Sequence, residues 1–305
     1  MATAQRPEGL LGGNCTGFEL DDLLRVSRRS VNLFASTLGR EPPRRAELEE
    51  EFAFIREFYR APRRGVFGGI ISPGDAVIIN EFVRAIRPDL IIEIGVASGF
   101  SSLFILSSMK RHGLLDGNDA ARLESYDLVA SHGEGDLLRV GHVVERDGAD
   151  LLPHWELRTC TTTIDLHAAA GAAPDTARRA LAFVDGGHCH PWPLFDVFVL
   201  TGRMPPGSWI LLQDVGLSER QLGSVIRLNS RTPAGYGFRG AQLLYEQYSG
   251  RKVRGIEACF NMAAIQVPQC RREVLPSLKQ LLVYPPEKRL CEREQAFLET
   301  LANAS

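Results

Sequence analysis

The sequence predicts an α/β protein built on a mainly parallel sheet with helices on both faces. From residue 89 onward, short apolar runs alternate with segments of helical length. Strands that alternate with helices in this way pair in parallel and are covered on both sides. Acids, glycines and histidines gather directly after the apolar runs. In such sheets ligands lie beyond the carboxyl ends of the strands, so those positions are the candidate functional ones.

Taken in order, residues 1–16 are rich in Gly, Pro and small side chains and read as a tail. Over 18–38, Leu20, Leu23, Leu24, Val31, Phe34 and Leu38 recur at helical spacing. REPPRR (40–45) breaks the chain before a second amphipathic helix over 46–61, acidic early and basic late as the helix dipole prefers. GVFGGIISPG (65–74) is a loop, and Ser72 caps a third helix with Pro73 at its first position. DLIIEIG (89–95) reads as a buried strand, 100–113 as a helix and ARLESYDL (121–128) as a strand. WELRTCTT (155–162), RALAFVDGG (179–187) and SWILLQDV (208–215) are further strands, with a helix over 193–204. VRGIEACF (253–260) and MAAIQVP (262–268) suit a final antiparallel pair. The organisation is therefore a tail and helical extension over 1–64, a main domain over 65–270 and a helical segment over 271–305.

Bulk composition excludes several function classes. The 305 residues are 44% hydrophobic and 24% charged, which suits a globular protein of one large domain with additions. A net charge of −2 provides no global field for nucleic acid or an anionic membrane. No uncharged apolar run approaches the ~20 residues of a membrane-spanning helix. The six cysteines are scattered without a C-x-x-C pair, and the N-terminus lacks a secretory pattern, so a cytoplasmic protein with reduced thiols is expected. Only Lys110, Lys252, Lys279 and Lys288 could serve a lysine-based mechanism.

EIGVASGFSS (93–102) follows a strand and opens a helix. Gly95 and Gly99 allow a tight turn and a close ligand approach. Their G-x-x-x-G spacing lacks the second glycine of the dinucleotide pattern, and the P-loop pattern is absent as well, so a pyrophosphate is not the expected ligand. Glu93 would repel a phosphate but suits an ammonium group, and Asp127 ends the next strand where an acid can accept ribose hydroxyls. S-adenosylmethionine (SAM), with an amino-acid part and a ribose, fits both. LIIEIGVASGFSS resembles motif I of class I SAM-dependent methyltransferases, and SYDL the acidic end of their second strand. The variant pattern, preceded by ISPGDA, is similar to the catechol and caffeoyl-CoA O-methyltransferases and to the metal-dependent natural-product enzymes of the macrolide-sugar and cephalosporin-hydroxylase type. The resemblance covers about residues 70–268 and implies a Rossmann-like seven-stranded sheet of order 3-2-1-4-5-7-6, its last strand antiparallel. By matching position, Glu93, Gly95, Gly99 and Ser101 would hold the methionine part of SAM, and Asp127 the ribose.

Asp185 and Asp214 end the fourth and fifth strands, and adjacent strand ends lie about 4.8 Å apart, close enough to share a small ion. The metal-dependent relatives imply Mg²⁺ there, held by Asp185, Asp214 and the residue before it. That residue is Gln213, where an acid is usual, so one negative charge is lost and the affinity should fall. His188 completes a D-x-x-H pattern and is the candidate base, with Asp185 beside it. The alternative reading is that His188 caps the following helix or satisfies a buried carbonyl. The run His188-Cys189-His190 lacks zinc spacing, and Cys189, His190 and Trp192 read as pocket wall or packing.

The expected function is a SAM-dependent, Mg²⁺-assisted O-methyltransferase acting on a small hydroxylated metabolite such as a sugar, phenol or polyketide. Alternatives are a metal-independent enzyme using His188 with Asp185 as orienter, and a SAM-binding protein without catalysis. The helices over 18–61 are expected beside the site as a lid or dimer surface, an isologous dimer being the commonest assembly.

Overall fold

Leu90–Ile94, Ala180–Val184 and Trp209–Gln213 are five-residue apolar runs buried almost throughout, as strands covered on both faces must be. The computed structural model describes residues 20–63, 65–135, 138–169, 177–215, 240–255 and 261–304. Its strands are β1 (Leu90–Ile94), β2 (Arg122–Tyr126), β3 (Trp155–Arg158), β4 (Ala180–Val184), β5 (Trp209–Gln213), β6 (Lys252–Arg254) and β7 (Met262–Gln266). They form one sheet in the order β3-β2-β1-β4-β5-β7-β6. β1 to β5 are mutually parallel, and β7 runs antiparallel to β5 and β6. This is the expected Rossmann-like sheet, preceded by a helical segment.

The helices are α1 (Leu20–Thr37), α2 (Arg45–Arg60), α3 (Pro73–Ile86), α4 (Phe100–Arg111), α5 (His142–Asp147), α6 (Thr163–Ala169), α7 (Trp192–Arg203), α8 (Gly240–Gln247), α9 (Leu275–Gln280) and α10 (Glu292–Asn303). Alternation along the strands splits the core into two layers. Ile91, Leu123, Leu181, Phe183, Trp209 and Leu211 pack with α1 to α5. Leu90, Ile92, Ile94, Ala182, Ile210 and Leu212 pack with α6 to α10.

α3 buries nearly every residue because it lies between the sheet and the N-terminal helices. Phe34 of α1 meets Phe82 of α3 edge-on at 5.5 Å, and Phe82 meets Trp209 of β5 at 5.6 Å. Leu48, Phe52, Ile55 and Phe58 of α2 join the same cluster. The Ser72 cap forms as the sequence predicts: its hydroxyl accepts from the Asp75 amide, and the Asp75 carboxylate accepts in return from Ser72.

The short helices α5, α6 and α8 were not evident in the sequence, since one or two turns show too little periodicity. β3 ends at Arg158, earlier than the apolar pattern suggests. β6 spans 252–254, overlapping the expected 253–260 only at 253–254, and 256–260 lie outside the described residues. The expected tail over 1–16 lies outside them too. Among the described residues, no helix is long and apolar enough to cross a membrane.

Candidate active site

The register of the sheet decides which side chains meet. Ile94 pairs with Val184 and Val184 with Leu212, so Gly95, Asp185 and Gln213 follow side by side at three adjacent strand ends. Gly95 has φ +92°, and a Cβ there would lie 2.3 Å from the Asp185 carbonyl oxygen. Only glycine lets these two strand ends run so close. Gly99 (φ +88°) is set back at the start of α4, where a Cβ would come within 2.9 Å of Gly141 Cα.

Beyond the strand ends lies a cavity of about 480 Å³, bordered by Gly95–Ala97, Asp127, Thr161–Thr163, Asp185–Cys189, Trp192 and Asp196. Asp127 follows β2 directly. Its Oδ2 accepts from the Val96 and Ala97 amides at 3.0 Å each, and its Oδ1 from the Val129 amide at 3.0 Å. The carboxylate thereby fixes the β1–α4 loop while bordering the cavity.

Glu93 has a different setting. Strand alternation turns it toward α4, where it is fully buried. Its carboxylate accepts from the hydroxyls of Ser101, Ser102 and Ser125, each at 2.6 Å. Trp155 Nε1 donates to the Ser125 hydroxyl at 2.9 Å. Burial pushes the Glu93 carboxyl above its ordinary range, against the pull of the serine hydrogen bonds. Glu93 and Ser101 thus lie behind the loop, whereas Gly95 and Asp127 border the cavity.

His188 stands in the β4–α7 loop, its Nδ1 2.7 Å from Asp214 Oδ2. Asp214 adopts a left-handed backbone (φ 62°) directly after β5, which takes it off the strand path. Asn261 Nδ2 donates to its other oxygen, Oδ1. Asp185 is paired instead with Gln213. With the amide oriented to satisfy both groups, the Gln213 nitrogen donates to Asp185 Oδ1 and Oδ2 at 2.7 and 2.5 Å.

Electrostatics tie these groups together. Burial lowers the His188 pKa, but the hydrogen bond and charge of Asp214 outweigh it and hold the imidazole above its ordinary 6.5. Burial raises Asp185 well above the usual carboxylate range; the charges of Asp214, Asp75 and Glu93 add to this, and His188 opposes it. Asp75 is pushed up to about 6, first by burial and further by the charge of Asp214.

Residues 92–215 match the family model of a methyltransferase domain. No curated protein matches the chain as a relative. Among solved structures, the chain is similar to an O-methyltransferase from Bacillus cereus in complex with S-adenosylhomocysteine (SAH), at 18% identity, over 80% of this chain and 99% of that one, with a TM-score of 0.45. It is also similar to TomG from Streptomyces achromogenes, an O-methyltransferase involved in tomaymycin synthesis, in complex with SAM, at 15% identity over 80% and 98% of the two chains, TM-score 0.44. A third is an SAH-bound methyltransferase from Podospora anserina, at 12% identity over 78% and 94%, TM-score 0.40.

The cation expected at Asp185, Gln213 and Asp214 does not fit the side chains at these strand ends. The oxygens of Asp185 accept from an amide, and those of Asp214 lie against an imidazole and a second amide. Among the described residues, no group of three or more His, Cys, Asp or Glu could hold a metal ion. The cause is the register: residue 213, and not 214, lies beside Asp185, and residue 213 is Gln. The acid that orients His188 is correspondingly Asp214 rather than Asp185.

The loop bearing His188 is fastened from two distant segments. Gly240 donates its amide to the His188 carbonyl at 3.0 Å. Glu287 donates its amide to the His190 carbonyl at 2.9 Å and accepts the His190 amide through Oε2 at 2.6 Å. The His190 ring stands edge-on to Tyr284, and Cys189 is buried.

Sequence reasoning missed Asp75, Asn261 and Asp196. Asp75 stands in the capped first turn of α3, and no motif of the sequence points it at the strand ends. Asn261 precedes β7, whose antiparallel pairing sets Met262 opposite Gln213, so the register alone would have brought it near Asp214. Asp196 lies one turn into α7, fully buried at the cavity wall, and accepts from Thr163 Oγ1 at 2.7 Å. Its Oδ2 has no partner among the described residues, and burial pushes its pKa up to about 7.

Proposed function

We propose that the protein is a SAM-dependent O-methyltransferase acting on a hydroxyl group of a small metabolite, with His188 as general base and Asp214 as its orienting partner. The observation that carries this reading is the 2.7 Å contact between His188 Nδ1 and Asp214 Oδ2 on the wall of the cavity that the Gly95–Ala97 loop and Asp127 also border. A base held by a carboxylate at one ring nitrogen keeps the other for proton transfer.

Bound SAM would supply an electrophilic methyl group whose bond to sulfur breaks with its electron pair left on sulfur. The remaining work falls to the protein. Gly95 lets the ends of β1 and β4 run side by side, since a Cβ would meet the Asp185 carbonyl, and so sets the loop that borders the cavity. Asp127 borders the cavity where the ribose hydroxyls would lie, as its place at the end of β2 suggests. His188 takes the hydroxyl proton of the acceptor at Nε2 as that oxygen bonds to the methyl carbon. Asp214 stabilises the imidazolium that results. Otherwise the reaction needs an in-line approach, which is a matter of positioning.

The test is calorimetry with SAH, followed by incubation with SAM and a panel of hydroxylated sugars, phenols and polyketides. SAH binding and a product methylated on oxygen, both detected by mass spectrometry and calorimetry, are expected. A folded protein that binds neither SAM nor SAH would overturn the reading.

A further inference from the structure

We infer that the acids at the ends of β4 and β5 work in this chain without a divalent cation, and that the Gln213 amide joins the two strand ends where a shared cation would otherwise do so. This deepens the methyltransferase reading and depends on it only for its place in catalysis. The contacts themselves stand apart from any activity.

A cation bridging the two strand ends would take oxygens from both, one or two carboxylates among them, turned toward one point. Here each candidate oxygen faces a nitrogen. With its amide turned so that both groups are satisfied, Gln213 donates to both oxygens of Asp185, at 2.7 and 2.5 Å. Asp214 Oδ2 faces His188 Nδ1 at 2.7 Å, and Asp214 Oδ1 accepts from Asn261 Nδ2. A cation would have to turn the amide over, part the His188–Asp214 pair and displace Asn261. It would do so at a site that has one carboxylate fewer than a pair of adjacent acids at 213–214 would give.

The contacts also share out the work. The amide of Gln213 holds Asp185 to the end of β5, and Asp185 is the residue whose carbonyl packs against Gly95. The β1 loop, the β4 end and the β5 end are therefore linked through a neutral side chain. Gln213 is a positioning residue in this scheme, and Asp214 is left for His188.

The experiment uses the full-length chain, stripped with EDTA, and titrates Mn²⁺ by calorimetry and by electron paramagnetic resonance. Gln213→Asp and Gln213→Glu are titrated alongside it, each checked for folding by circular dichroism. The native protein is expected to show no Mn²⁺ binding and the same SAH release with and without EDTA. Gln213→Asp is expected to gain Mn²⁺ affinity by about tenfold or more, since ligand charge sets affinity at such sites. Gln213→Glu serves the same purpose if the shorter acid does not fold. Stoichiometric Mn²⁺ binding by the native chain, or turnover lost in EDTA, would overturn the inference. So would folded acid variants that bind Mn²⁺ no better than the native chain. If the native chain binds no SAH, the methyltransferase reading falls, while the Mn²⁺ titration still decides the question of the cation.

Discussion

His188 Nδ1 lies 2.7 Å from Asp214 Oδ2, across the gap between the β4–α7 loop and the end of β5. If this pair supplies the base, His188→Ala should lower the rate of SAH release by about 10²–10⁴-fold while leaving SAH affinity nearly unchanged. Asp214→Asn keeps the shape but removes the charge, and should lower the rate by a smaller factor. A His188→Ala protein that turns over at the native rate would remove the imidazole from the mechanism.

The same pair sets the pH response. Asp214 holds the His188 pKa above 6.5 in the folded protein. A base acts in its neutral form, so kcat/KM should rise with pH through a midpoint above 6.5, and Asp214→Asn should move that midpoint down. The stability linkage has the opposite slope: the pair adds stability below the ordinary histidine pKa, and this is lost as pH rises through the raised one. Rate and stability profiles recorded on the same samples would separate the two effects.

Gly95→Ala should be poorly tolerated. The new Cβ would meet the backbone of Asp185 and Gly186 at a positive φ, so neither a rotamer change nor a small side-chain shift relieves it. A loss of about 3 kcal/mol or more in urea unfolding is expected, together with loss of SAH binding.

Asp196 should make stability depend on pH. Its folded pKa of about 7 lies above the ordinary 3.8, so the folded state holds a proton that the unfolded state has released. Stability therefore falls as pH rises from 3.8 to about 7, by something on the order of 4 kcal/mol from this group alone. Asp196→Asn retains a side-chain oxygen for the Thr163 hydroxyl, and should flatten that part of the melting-temperature profile.

Glu93→Ala separates support from contact. The hydroxyls of Ser101, Ser102 and Ser125 would lose a shared acceptor inside the core, a cost of about 2–4 kcal/mol. The folded fraction should still bind SAH with near-native affinity, because Glu93 stands behind the loop. A large affinity loss at unchanged stability would show instead that Glu93 touches the ligand.

The sheet was legible because its strands are runs of buried residues bounded by charges and glycines, and because the glycine pair after β1 marks a turn that few other patterns explain. The strand-end positions of Asp127, Asp185 and Asp214 could be read for the same reason. What could not be read was direction. Glu93 sits one residue from Ile94 and faces the opposite layer, a fact of the pleat that composition does not carry. Asp214 leaves the strand path through a left-handed backbone that no local signal announces, and so meets His188 while Gln213 meets Asp185. Asp75 and Asn261 come close to the same point from segments 186 residues apart (261 − 75 = 186), which only the folded chain brings together.

The two hydrogen bonds between Glu287 and His190 have a practical corollary. They make the C-terminal segment a splint for the loop that carries His188, two residues away. Glu287→Ala would cut the bond to the His190 amide while leaving α10, whose Phe297 and Leu301 sit in the core, in place. Under the proposed mechanism, that variant would keep its hold on SAH and loosen the loop that carries His188.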